Sequence, residues 1–381
     1  MNTLEGLKTF RFHSDEMNRE FTDFASALEF LTEGKESLAL KNLKHLYNHA
    51  QDISLRSCCA QLLFTLYYAR SNWEQIELLD LLDEPSIVQS NKIIAKTRSQ
   101  HEKTMFSFQE NPSYLPMTLS LTGCPTITAK INGKKVCLWL DTGAEMTVLS
   151  HSLAQECGVS VWQNSGLEVE NSSSKSFNTD FAFIDSIELG NCSILNQPSL
   201  ILKDDFLRFQ HPKTNEMMMI DGIIGWDIIQ HIYLEIDYVR RQVLIQKPHK
   251  INTHEHNLFF CGSPIVKAKG ENDIPLFFGL DTGANKSHFD EPLLSKIDNL
   301  KIKKRVVHAG GLGDVKKLEV DTIENLNVCL KENQHIQLHN VRKVLAEFAT
   351  FFKLDGILGS DIAKEGRLVI DYVNGRIELS H

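Results

Sequence analysis

Several absences bound this 381-residue chain before any motif is considered. It holds no run of about 18 apolar residues, so no membrane-spanning helix is expected. Its first residues, Met1-Asn2-Thr3-Leu4-Glu5, offer no basic segment followed by an apolar stretch. No secretory leader is therefore expected, and a cytoplasmic location follows as the default. The eight cysteines form no C-x-x-C pair, which favours free buried thiols over disulfides or zinc ligands. Positive charge is in deficit: 40 Lys and Arg stand against 49 Asp and Glu, a net charge of −9. That argues against nucleic acid and acidic membrane surfaces as partners. No G-x-S-x-G elbow is present, so a serine hydrolase has no support. The glycines at 310–313 match neither G-x-G-x-x-G nor a P-loop.

Glycine and proline are sparse in the first hundred residues, and what remains reads as helical. Leu55, Cys59, Leu62, Leu63 and Leu66 fall on one helical face, as do Leu40, Leu43 and Tyr47. Gly34 and Ser71-Asn72 mark turns. The stretches starting at Gly34 and Arg70 superpose at a spacing of 36 (70 − 34), which weakly resembles tetratricopeptide helical hairpins. A further helix is expected from about Ser86 to Met105. Asn111-Pro112-Ser113-Tyr114-Leu115-Pro116 then reads as a linker. Beyond it the chain turns β-rich, with Asn132-Gly133 as a hairpin signal.

The β-rich part contains the same text twice. Leu140-Asp141-Thr142-Gly143-Ala144 returns as Leu280-Asp281-Thr282-Gly283-Ala284, a shift of 140 (281 − 141). Asp221-Gly222-Ile223-Ile224-Gly225 returns as Asp355-Gly356-Ile357-Leu358-Gly359, a shift of 134 (355 − 221). Each is followed by Ile-Asp-Tyr-Val, at Ile236–Val239 and Ile370–Val373. One such motif is a hypothesis; an ordered set repeated at nearly fixed spacing implies two homologous lobes.

Each lobe resembles a retropepsin-like aspartic peptidase protomer, and the pair resembles a single-chain, two-lobed bacterial type. The resemblance covers about residues 117–381. It implies a mostly β aspartic-peptidase fold of two duplicated lobes, preceded by an all-α helical-hairpin domain. The expected division is 1–110 helical, 111–116 linker, 117–247 lobe one, 248–257 interlobe linker and 258–381 lobe two. His254-Glu255-His256 falls in the interlobe linker and is read as solvated rather than as a metal pair.

The resemblance also implies roles. Asp141 and Asp281 would share one proton, because two close carboxylates cannot both be charged, and together would activate a water as an aspartic endopeptidase. Thr142 and Thr282 would interlock across the lobes. Gly143 and Gly283 would admit backbone amides to the carboxylates. Ile223, Ile224 and Gly225, with Ile357, Leu358 and Gly359, would wall the loops with apolar surface. Ala144 and Ala284 stand where pepsin-like enzymes carry a carboxylate-stabilising serine, so the pair should work nearer neutral pH. Gly310, Gly311 and Gly313 would form a mobile flap tip in lobe two. Ser172, Ser173 and Ser174 hold the matching place in lobe one without glycine. The substrate would be an extended peptide or protein segment. No metal, cofactor or oligomer is required by this chemistry, and the helices would recruit a protein partner. The competing reading is a catalytically silent peptide-binding or scaffolding protein on the same fold; a third is an enzyme restrained by its own helical domain.

Overall fold

A computed structural model describes residues 19–120, 122–170, 176–210, 217–251, 256–311, 314–331, 334–344 and 351–380. The helical part comprises α1 (Arg19–Thr32), α2 (Glu36–His49), α3 (Ile53–Ala69), α4 (Trp73–Leu78) and α5 (Gln89–Ser99). Local chemistry sets the ends. Gly34 turns between α1 and α2 with φ +71°. The Asp52 carboxylate accepts from Leu55 N–H at 2.9 Å and caps α3. The Asn72 side chain does the same for Gln75 N–H at the start of α4. Helix α3 is the centre of this layer: Leu55, Cys59, Leu62, Leu63 and Leu66 are all buried. The resemblance to tetratricopeptide hairpins stops at α4, which has six residues. The helix expected from Ser86 to Met105 is shorter, and its last residue instead opens a strand, Met105–Phe108, that pairs with Cys192–Leu202.

Residues 113–116, expected within a linker, are in a strand, Ser113–Leu119. The strand changes partner midway. It pairs with Gln242–Gln246 up to Pro116 and with Pro125–Ile131 from Met117 on. A proline signals a break because it lacks an N–H; here the missing donor falls where the strand leaves one ladder for the next, so little is lost.

The two β parts repeat one plan. Strand Lys134–Leu140 runs parallel to Gly222–Ile224, with Leu140 opposite Ile224. Strand Pro275–Asp281 runs parallel to Gly356–Gly359, with Leu280 opposite Leu358. A long hairpin follows in each: Val161–Glu170 with Ser176–Leu189, and Ile302–Gly311 with Asp314–Lys331.

The halves are joined by a sheet whose register reveals their symmetry. Tyr233–Asp237 pairs antiparallel with Arg367–Asp371, placing Glu235 opposite Val369 and Leu234 opposite Ile370. Since 235 + 134 = 369, Glu235 faces its own duplicate, and a pseudo-twofold axis passes between them. The core runs without a break from Leu43 and Leu62 in the helices, through Trp226, to Phe278. Among the described residues, no helix is long and apolar enough to cross a membrane.

Candidate active site

The duplicated turn residues meet on the pseudo-twofold axis. Thr142 and Thr282 are each 1% exposed and interlock reciprocally. Thr142 Oγ1 donates to Leu280 O at 2.8 Å and accepts from Thr282 N–H at 2.9 Å. Thr282 Oγ1 donates to Leu140 O at 2.8 Å and accepts from Thr142 N–H at 3.0 Å. Four bonds thus fix one loop on the other, and each hydroxyl both donates and accepts, which leaves no buried polar group of the grip unpaired.

That grip sets the separation of the carboxyls, and the glycines make it sterically tolerable. A methyl at Gly143 would lie 2.8 Å from Asp281 Cγ, and one at Gly283 would lie 2.5 Å from Asp141 Oδ2. Each glycine therefore clears space for the carboxyl of the opposite lobe, a role beyond the expected approach of backbone amides. The amide role is present too: Gly143 N–H donates to Asp141 Oδ1 at 2.8 Å, and Ala284 N–H donates to Asp281 Oδ1 at 3.0 Å.

Electrostatics separate two carboxyls that the sequence makes alike. Burial raises both. For Asp141 this is opposed by donors converging on it: Gly143 N–H, the Asp281 carboxyl, Ala144 N–H and Gly283 N–H. Asp281 is pushed up to about 8, first by burial and then by the negative charge of Asp141. The pair thus shares one proton, with the donors around Asp141 favouring its ionised form, and its titration belongs to both residues.

The apolar-glycine segments pack beneath. Ile224 and Leu358 are fully buried, with Ile223 and Ile357 nearly so. Gly225 and Gly359 have ordinary backbone angles, so close approach is what demands them. A methyl there would strike the carbonyls of Ala144 and Met146, or of Ala284 and Lys286, at 2.7–2.8 Å. The next N–H groups use that proximity: Trp226 N–H donates to Ala144 O at 2.7 Å and Ser360 N–H to Ala284 O at 2.8 Å.

Further supports escaped the sequence reading. Asp227 accepts from Thr147 N–H at 3.0 Å and from its hydroxyl at 2.9 Å. Asp361 accepts from Ser287 N–H at 2.8 Å and from its hydroxyl at 2.6 Å. These residues pin each Asp-Thr-Gly-Ala loop to the short helical turn behind it. A signal existed: 147 + 140 = 287 and 227 + 134 = 361, the two shifts of the duplication.

The flaps are only partly visible. Ser172, Ser173 and Ser174 lie outside the described residues, as does Gly313. Gly310 and Gly311 end a strand, opposite Val315 and Asp314. His254 and Glu255 also lie outside the described residues, and no group of three or more His, Cys, Asp or Glu among the described residues is arranged to hold a metal. The cysteines are free; Cys59, Cys124, Cys157, Cys192 and Cys261 are buried as expected, Cys58 and Cys329 are partly buried, and Cys137 departs from the expectation by being exposed.

Residues 127–228 match the family model described as aspartyl protease. Among solved structures, the chain is similar to a retropepsin-like aspartic protease from Rickettsia conorii, with 15% identity and a TM-score of 0.26, over 39% of this chain and 97% of that one. No curated protein matches the sequence. The chain carries an aspartyl protease domain, preceded by N-terminal helices.

Proposed function

We propose that this aspartyl protease domain is an endopeptidase that hydrolyses peptide bonds with a water held between Asp141 and Asp281. The observation that carries the reading is the meeting of the Asp141 and Asp281 carboxyls across Gly143 and Gly283, braced by the Thr142–Thr282 grip. Asp141, as the carboxylate, takes a proton from the water while its oxygen attacks the carbonyl carbon. Asp281 gives its proton to the carbonyl oxygen, producing a neutral tetrahedral diol. The proton on Asp141 then passes to the amide nitrogen, a diol hydroxyl returns a proton to Asp281, the C–N bond breaks, and acid and amine leave. The substrate would lie extended between the two long hairpins, pairing its backbone with their edges. One chain supplies both carboxyls, so the site needs no oligomer; a cytoplasmic setting goes with the same reading.

The test is cleavage of a peptide library by the full chain and by Asp141→Asn and Asp281→Asn. Each substitution should lower kcat by at least about 10³-fold, the scale of losing an acid or base. Because Asp281 holds its proton up to about pH 8, the wild-type rate should persist through neutral pH and fall as pH rises past that value. No cleavage between pH 3 and 8, or equal cleavage by the Asn variants, would defeat the proposal. The second reading, a silent peptide-binding scaffold, is favoured by one feature: residues 171–175, between the two strands of the first long hairpin in sequence, lack glycine. Saturable peptide binding without turnover would select it.

A further inference from the structure

A cavity of about 310 Å³ lies where α3, α5 and the following residues meet the first lobe, with Phe260 of the second lobe closing one side. The volume is at the lower end of that of small-molecule sites. Its charges do not all face the space equally. The Asp227 carboxylate is spent on Thr147 and Gln197, whose Nε2 donates to it at 2.7 Å. Arg70 is engaged by Glu36 at 2.6 Å and by Tyr372 Oη at 2.6 Å. Two cations and one anion remain. Arg98 donates to Ser71 Oγ at 2.9 Å, is hydrogen-bonded with the Tyr68 side chain and lies over the rings of Tyr68 and Trp73, which leaves part of its five-donor fork for a further partner. Lys103 lines the same cavity and is exposed. Glu145 is solvent-accessible on the lobe-one wall. Enclosure and the charge of Asp227 raise its carboxyl, and the charge of Arg98 across the cavity lowers it in part. Phe106, Trp226 and Phe260 supply apolar walls between these charges.

We infer that this cavity is a second binding site, separate from the carboxyl pair, for a short zwitterionic peptide of about two residues. Its carboxylate goes to Arg98 and Lys103, its ammonium to Glu145, and its side chains to the aromatic walls. Planar guanidinium forks suit carboxylates, and a carboxylate opposite them suits an ammonium. The site is peculiar to the first half. The duplicate of Glu145 is Asn285 (145 + 140), and the Arg98 and Lys103 side come from residues outside the duplication. Glu145 lies four residues beyond Asp141 in the same loop (145 − 141), so an occupant bears on the segment that carries the site.

Isothermal calorimetry on the full chain tests this without requiring catalysis. The probes are leucyl-phenylalanine, its C-terminal amide and its N-acetyl form. The free dipeptide should bind saturably, and blocking either terminus should weaken binding by about tenfold or more, the scale of a charge-assisted hydrogen bond. Lys103→Met should weaken the acid and leave the amide's affinity unchanged. Glu145→Gln should weaken the free amine and leave the acetylated form unchanged. Absence of binding up to about 10 mM, equal affinity for all three probes, or preferences unaltered in both variants would overturn the inference.

Discussion

The two lobes are closest in kind at the carboxyl pair and diverge with distance from it. At the axis the hydrogen bonds of Thr142 and Thr282 mirror each other within 0.1 Å. One layer out, Thr147–Asp227 and Ser287–Asp361 perform the same task with different hydroxyls. Further out the lobes part. In the second, Lys296 and Asp355 form a buried ion pair at 2.6 Å with side chains 9% and 0% exposed. The matching positions in the first are Glu156 (296 − 140) and Asp221 (355 − 134), two acids in partly open surroundings, where Glu156 helps raise the Asp221 carboxyl. The helices touch both lobes, but among the described residues only the first lobe's long hairpin is shown in contact with them. His101 stacks on Phe183 at 3.9 Å, and Glu168 N–H donates to Ser90 Oγ at 3.1 Å, both in the hairpin that leads to residues 171–175. Symmetry was kept where one loop must fit the other, and released where each lobe meets its own surroundings.

The largest expected effect breaks the comparison at the outer layer. Lys296→Met strands the buried Asp355, which also accepts from Phe277 N–H, and should cost about 3–5 kcal/mol in urea unfolding. Asp221→Asn, in the solvated counterpart, should change stability by no more than about 0.5 kcal/mol. Similar losses from both would erase the distinction drawn here.

The next effect sharpens the symmetry. Thr142→Val and Thr282→Val each remove one hydroxyl that bonds a buried carbonyl and a buried N–H, for a loss of about 2–3 kcal/mol apiece. Because the bonds are reciprocal, the two variants should agree within about 0.5 kcal/mol. A gap above about 1 kcal/mol would show that the grip is unequal.

Asp281→Asn probes the electrical asymmetry through stability. A carboxyl whose folded value is raised stabilises the fold at low pH and loses that contribution as pH climbs toward about 8. The Asn variant carries no such charge, so it should equal wild type near pH 4 and gain on it progressively as pH rises toward about 8. Thermal melts across that range decide it; parallel curves would mean that the pair shares no raised proton.

The smallest effect concerns the helices. Arg70 reaches Glu36, Gln230 of the first lobe at 3.2 Å and Tyr372 of the second, and stacks over the Tyr372 ring at 4.9 Å. Its partly exposed position limits Arg70→Ala to about 1 kcal/mol. The same substitution should also lower kcat more than it raises KM if the bracket steadies the lobes, and leave kcat untouched if it does not.

Much of the site was legible in the sequence because duplication prints each functional segment twice. Leu140–Ala144 and Leu280–Ala284 could be aligned by eye, and their spacing to the glycine segments named the residues that pack beneath. Thr147, Ser287, Asp227 and Asp361 obey the same shifts and were missed because a hydroxyl and a carboxylate carry no motif until they face each other. Pro116 misled because a proline read along the chain says nothing about which ladder needs its N–H.

By itself, the sequence determined the helical start, the two-lobed β plan and the pairing of Asp141 with Asp281, since periodicity and repetition are properties of order along a chain. Only the tertiary structure decided how the two carboxyls differ in surroundings, because identical motifs differ in the donors that reach them from other segments. It alone decided that each glycine makes room for the opposite carboxyl, and that the helices and the first lobe enclose a cavity. Those facts depend on distances between residues more than a hundred positions apart, which no local pattern encodes.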